Sequence, residues 1–130
     1  MRQERTAQRK QGQGAKHMSE YFLYIVRCED DSLYTGITVD VARRMAEHRS
    51  QMGPAAKYTR SHKAVELVAC WSAPDRSTAS KGEYHVKRLD RNGKDKLVFY
   101  PERITSLFEG AEALSPIAEE ELARYWSASE

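Results

Sequence analysis

From Tyr21 to Val26 aromatic and branched residues follow one another without a polar break, Glu29-Asp30-Asp31-Ser32 supplies turn chemistry, and Leu33-Tyr34-Thr35-Gly36-Ile37-Thr38 resumes strand character. The pattern predicts a hairpin over Tyr21 to Thr38. Period two places Phe22, Tyr24 and Val26 on one face of its first strand and Leu23, Ile25 and Arg27 on the other. The spacing then changes to that of a helix from Asp40 to Ser50, capped by Thr38 or Asp40. At about 100° per residue, Val41, Arg44, Met45 and His48 share one arc, while Arg43 and Glu47 turn away as a solvated i, i+4 pair.

Downstream the pattern is simpler. Gln51 to Lys63 reads as a loop through Gly53-Pro54, Val65 to Trp71 as a third strand, and Ser77 to Leu89 as a second helix capped by Asp75 or Ser77. That helix places Ala79, Glu83, Val86 and Asp90 on one face and is broken at Asn92-Gly93. A short third helix is expected from Lys94 towards Pro101. Ser115-Pro116 reads as the N-cap and first residue of a last helix to about Trp126. Together these elements predict an α/β (α+β) domain over residues 20–100: a small, mainly antiparallel three-stranded sheet flanked by helices. Residues 1–19 are too polar to bury a core and are expected to be a disordered leader, and residues 101–130 a partly helical acidic extension.

Composition narrows the function classes. No run approaches the roughly 18 apolar residues of a membrane span, and the N-terminus lacks the apolar stretch of a secretory signal, so a cytoplasmic protein is expected. Cys28 and Cys70 lie in apolar strands without zinc-ligand spacing and are read as buried thiols. Charge is segregated: residues 1–100 carry 19 Lys/Arg against 12 Asp/Glu, whereas residues 101–130 carry 2 against 7. A basic body suits a polyanion, because clustered cations release counterions from phosphates.

Candidate chemistry concentrates in two places. Tyr24 and Tyr34 on the hairpin are faced by Arg44 and His48 from the next helix. The bland reading is a cross-strand aromatic pair with a snorkelling arginine and a capping histidine. Glu83, a carboxylate on an apolar helix face, requires a metal, an arginine or solvent access. The loop interleaves Lys57, Tyr58, Arg60, His62 and Lys63, a composition that stacks bases and holds phosphates, or is simply solvated.

The order hairpin, helix, strand, helix, with Tyr24, Tyr34, Gly36, Arg44, His48 and Glu83 at these places, resembles the GIY-YIG nuclease superfamily, in particular its small stand-alone bacterial members. The two motif halves read Phe22-Leu23-Tyr24 and Tyr34-Thr35-Gly36. The resemblance covers about residues 20–100 and implies hydrolysis of DNA phosphodiesters with a divalent metal, Mg²⁺ or Mn²⁺. It assigns catalytic roles to Tyr24, Tyr34, Arg44 and His48, metal binding to Glu83 and a structural role to Gly36. Many active members carry an asparagine about a dozen residues past the glutamate; here that position is near Asp95, and the nearest asparagine is Asn92. The expected function is therefore a metal-dependent endonuclease, possible substrates including branched, nicked or single-stranded DNA. A nucleic-acid-binding module with little cleavage, and an adaptor that engages a protein through its C-terminal tail, stay open as alternatives.

Overall fold

The computed structural model describes residues 20–53 and 56–128. The leader expected over residues 1–19 lies outside them. Four strands, β1 (Tyr21–Cys28), β2 (Leu33–Thr38), β3 (Ala64–Ala73) and β4 (Ser115–Pro116), make one antiparallel sheet in the order β2-β1-β3-β4. Among the described residues the α-helices are α1 (Val41–Ser50), α2 (Arg76–Lys87), α3 (Arg91–Phe99) and α4 (Glu119–Ser127). This is the α+β arrangement expected, with a two-residue fourth strand added at one edge.

The uninterrupted apolar run of β1 explains its central place, since it must be covered on both faces. Leu23, Tyr24, Ile25 and Val26 are all fully buried. Leu23 and Ile25 join Ala69, Trp71, Ala79, Val86 and Leu97 in a core that α2 and α3 close. Tyr24, Val26 and Cys28 point the other way, to Val41 and Met45 of α1 and to Cys70, with Leu122, Tyr125 and Trp126 of α4 packed against them. Both cysteines are free, buried thiols; burial pushes the Cys70 thiol up to about 12.

Aspartates start the first three helices. Asp40 accepts from Arg43 N–H at 3.2 Å, Asp75 from Thr78 N–H at 2.8 Å and Asp90 from Gly93 N–H at 2.8 Å. The last of these corrects the expectation for Asp90 and Asn92-Gly93. Asp90 caps α3 instead of lying on α2, and Asn92-Gly93 sits in the first turn of α3, where the cap offsets the roughly 1 kcal/mol helix cost of glycine.

Residues after Pro101 are built into the same core. Ile104, Ala111 and Leu114 are buried, and the indole N–H of Trp71 donates to the Pro101 carbonyl at 2.9 Å. Ser115-Pro116 does not start the last helix. It pairs with Trp71 and Ser72 at the sheet edge, where a missing N–H is tolerated, and Ile117 N–H then donates to the Cys70 carbonyl at 2.8 Å. α4 begins only at Glu119, its first turn of three glutamates complementing the helix dipole. Among the described residues, no helix is long and apolar enough to cross a membrane.

Candidate active site

The site is built on the face of the sheet that α1 covers. Tyr24 lies in mid-β1 directly opposite Gly36 of β2. A Cβ at residue 36 would stand 2.5 Å from the Tyr24 hydroxyl, so the phenol lies across the one residue that leaves room for it. Tyr34, two residues before Gly36, projects to the same face, with its ring 6.4 Å from that of Tyr24.

α1 closes the group from above. His48 is fully buried, its Nε2 2.8 Å from the Tyr24 hydroxyl, and its ring lies 5.6 Å from Tyr24 and 5.3 Å from Tyr34. The other ring nitrogen, Nδ1, lies 3.1 Å from the hydroxyl of Thr59, which is also fully buried. One turn earlier, Arg44 donates to the Ile37 carbonyl at 3.2 Å and pairs through Nε with Glu47 at 3.3 Å. Its positive charge acts on the Tyr24 phenol.

Glu47 departs from the sequence expectation. Its side chain is only 18 % exposed and lies between two arginines, 3.7 Å from Arg43 and closer to Arg44. The cause is the chain reversal after α1: Gln51 and Gly53 both take positive φ, and the turn folds back against the Glu47 side chain. Arg43 itself stays 76 % exposed.

Glu83 approaches from α2, a quarter exposed and paired with Lys87 at 3.1 Å. Its charge acts on Tyr24. Tyr24, Tyr34, Arg44, His48 and Glu83 thus form one electrostatic group. Burial raises the Tyr24 phenol well above its ordinary range, Tyr34 and Glu83 add to this, and Arg44 opposes without prevailing. Arg44 thus lowers the phenol by less than burial raises it. Burial, and then Arg44, pull His48 down to about 4, so at neutral pH the Tyr24/His48 pair is uncharged.

The loop places its residues unequally. Tyr58 stacks between Tyr34 (5.3 Å) and His62 (4.1 Å), and His62 Nδ1 is 2.7 Å from the Asp30 carboxylate in the hairpin turn. Bonds from Ser32 and His62 hold that carboxylate well below the usual range. Lys57 lines, with Tyr34, Tyr58 and Ser61, an open groove of about 380 Å³ beside the site. Arg60 and Lys63 are exposed, their carbonyls tied to Gln51 and to Glu29 N–H. Asp95 is held by Arg91 at 2.8 Å, and Arg91 in turn reaches Asp31.

Thr59, Glu47 and Gln51 escaped the sequence reading. A threonine between Tyr58 and Arg60 looks like solvated loop, and only its contact with His48 sets it apart.

A tyrosine pair on a hairpin, an arginine and histidine one turn apart on the next helix, and a glutamate on the helix after β3 define the protein's class, and the chain belongs to the GIY-YIG family: the model of the GIY-YIG catalytic domain matches residues 20–96. This makes it a member of a nuclease family. Its relatives include UPF0213 proteins. That of Cronobacter sakazakii is 48% identical over 81 residues, 62% of this chain and 83% of the relative. That of Halalkalibacterium halodurans is 46% identical over 78 residues, 60% and 81% of the two chains. A solved structure, the solution NMR structure of a UPF0213 protein from Bacillus halodurans, is similar with 44% sequence identity, 62% of this chain and 84% of that one covered, and a TM-score of 0.42.

Proposed function

We propose that this protein is a metal-dependent endonuclease that hydrolyses DNA phosphodiester bonds at the Tyr24/His48 centre. The observation that carries the reading is the buried hydrogen bond between Tyr24 and His48, with Arg44 and Glu83 close enough to act on the phenol. A structural aromatic pair does not call for a buried imidazole bonded to one hydroxyl, with the charges of Arg44 and Glu83 acting on it.

The donor set suits a hard cation. Among the described residues no three His, Cys, Asp or Glu side chains converge as a metal cage. Glu47 is held between Arg43 and Arg44, whereas Glu83 offers a carboxylate paired with a half-exposed lysine that can let it go. Mg²⁺ or Mn²⁺ needs one or two carboxylates, with waters and substrate phosphate completing its shell, so Glu83 would hold it. When bound, the cation supplies Lewis-acid charge to the phosphoryl group.

The chain's own residues do the rest. Arg44 presents a planar cation, fixed by Ile37 and Glu47, to a phosphate oxygen. Tyr24 and His48 rest neutral and share one proton across 2.8 Å, poised to accept a proton from an attacking water once the charges around them change. Tyr34 stands between this pair and the groove, where it positions the phosphate. Lys57, Tyr58, Arg60, His62 and Lys63 form the flank along which nucleic acid runs.

The test is cleavage of duplex, single-stranded, nicked and branched DNA with Mg²⁺ or Mn²⁺. Glu83→Gln and Arg44→Ala should each lower the rate by about 10²- to 10³-fold, equivalent to about 3–4 kcal/mol of lost transition-state contact, while Arg43→Ala stays near wild type. Cleavage that survives Glu83→Gln sinks the assignment. Clear binding without cleavage of any substrate favours the non-cleaving module, the region near Asp95 lacking the asparagine that many active members carry.

A further inference from the structure

We infer that Thr59 is a positioning residue: it fixes the tautomer of His48 so that Nε2 meets the Tyr24 hydroxyl as an acceptor, and Gln51 holds Thr59 in place. The catalytic consequence rests on the nuclease reading above, but the geometry does not.

Proton counting sets the direction of the chain. The Thr59 hydroxyl has one proton, and lies 3.4 Å from the Ala56 carbonyl and 3.1 Å from His48 Nδ1. The Tyr24 hydroxyl, buried against His48 Nε2, sends its proton there, so the neutral imidazole carries its own proton on Nδ1 and the Thr59 oxygen accepts it while its hydroxyl turns to Ala56. An uncharged imidazole with its proton on Nδ1 has a bare Nε2, and Tyr24, 2.8 Å away, donates to it. The bonds then run one way, from Tyr24 through His48 and Thr59 to Ala56.

The reverse arrangement fails at the Tyr24 end. With Nε2 protonated, the Tyr24 oxygen would receive from His48. The Tyr24 proton would then need a second partner in a buried site, whereas the Ala56 carbonyl would keep the Arg60 N–H at 2.8 Å. Each buried polar group left without a partner costs about 1–3 kcal/mol.

Thr59 is itself held. Gln51, in the left-handed conformation that ends α1, donates from Nε2 to the carbonyls of Thr59 at 2.7 Å and Arg60 at 3.2 Å, and its own N–H reaches the His48 carbonyl at 3.3 Å. The residue that closes the helix carrying His48 thus also clamps the loop carrying its orienting hydroxyl. On the other side of Thr59, Tyr58 is locked between Tyr34 and His62.

Long-range proton–nitrogen NMR correlation of the full chain at neutral pH reads this tautomer directly, without any turnover. Wild type should carry the His48 proton on Nδ1. Thr59→Val, which keeps the shape and removes the hydroxyl, should move population to the Nε2 tautomer, and Thr59→Ser should restore Nδ1. In cleavage assays Thr59→Val should lower kcat by about 10- to 100-fold with KM little changed, Thr59→Ser should recover most of it, and Gln51→Ala should fall between them. A wild-type proton on Nε2, or a folded Thr59→Val with an unchanged tautomer, overturns the inference. Because the wild-type spectrum needs no variant and no activity, Nδ1–H in a protein that cleaves nothing would count against the nuclease reading and leave the role of Thr59 standing.

Discussion

The two faces of the sheet are buried to a similar depth by opposite means. Against α2 and α3, the core joins Leu23, Ile25, Trp71, Val86, Leu97 and Leu114, and the one polar atom of Trp71 is spent on a backbone carbonyl. Against α1, the same strand buries a phenol, an imidazole and a threonine hydroxyl in a connected chain. The first face can be repacked by any side chains of the right volume. On the second, the phenol, the imidazole and the threonine hydroxyl are each tied to the next, and exchanging one strands another. The comparison teaches that burial here serves stability on one side of β1 and fixes proton positions on the other.

Breaking the apolar face should have the largest effect on folding. Trp71→Ala should cost about 3–5 kcal/mol in denaturant unfolding, through lost burial and the cavity left behind, while activity per folded molecule changes little. An equal loss of specific activity would mean that the two faces are not separable.

On the α1 face the sharper probe is pH. His48 titrates near 4 in the folded chain against about 6.5 when unfolded, so the unfolded state takes up the extra proton. Stability is full above about 6.5 and is lost as pH falls towards 4, by up to about 3 kcal/mol from this residue. Tyr24 works at the other end: its raised phenol stays neutral in the fold, and stability declines as pH rises past about 10. Denaturant midpoints at pH 7.5, 5.5 and 4.5 should fall more steeply for wild type than for His48→Gln. Parallel curves would refute the burial of a neutral imidazole. The smallest effect is expected at the rim, where Lys57→Ala or Arg60→Ala should each reduce the slope of log affinity against log salt by about 0.7–0.9 and barely move stability. An unchanged slope would remove that residue from the phosphate contacts.

Much of this was legible in the chain because it is local. The alternation in β1, the caps at Asp40 and Asp75 and the arc of Val41, Arg44, Met45 and His48 each follow from a few neighbouring residues. The wheel also separated Arg44 from Arg43. What failed depended on distant partners. Glu47 looked solvated because the reversal at Gln51 and Gly53 that covers it cannot be seen from helical spacing. Asn92-Gly93 looked like a helix breaker because the Asp90 cap outweighs it. Ser115-Pro116 looked like a helix start until β3 offered it an edge. Thr59 was invisible for the same reason: its partner is 11 residues away on another element.

The anchoring of Trp71 to Pro101 and of Ile117 to Cys70 also bears on how the chain is finished during synthesis. Translation delivers β1 first, yet this central strand can pair on its second side only when β3 has been made, and the wall around Trp71 closes only when Ile104, Ala111 and Leu114 follow. The segment matched to the family ends at residue 96, before any of those closing residues. Tyr24, Arg44, His48 and Glu83 are therefore all made before the residues that close the apolar wall around Trp71.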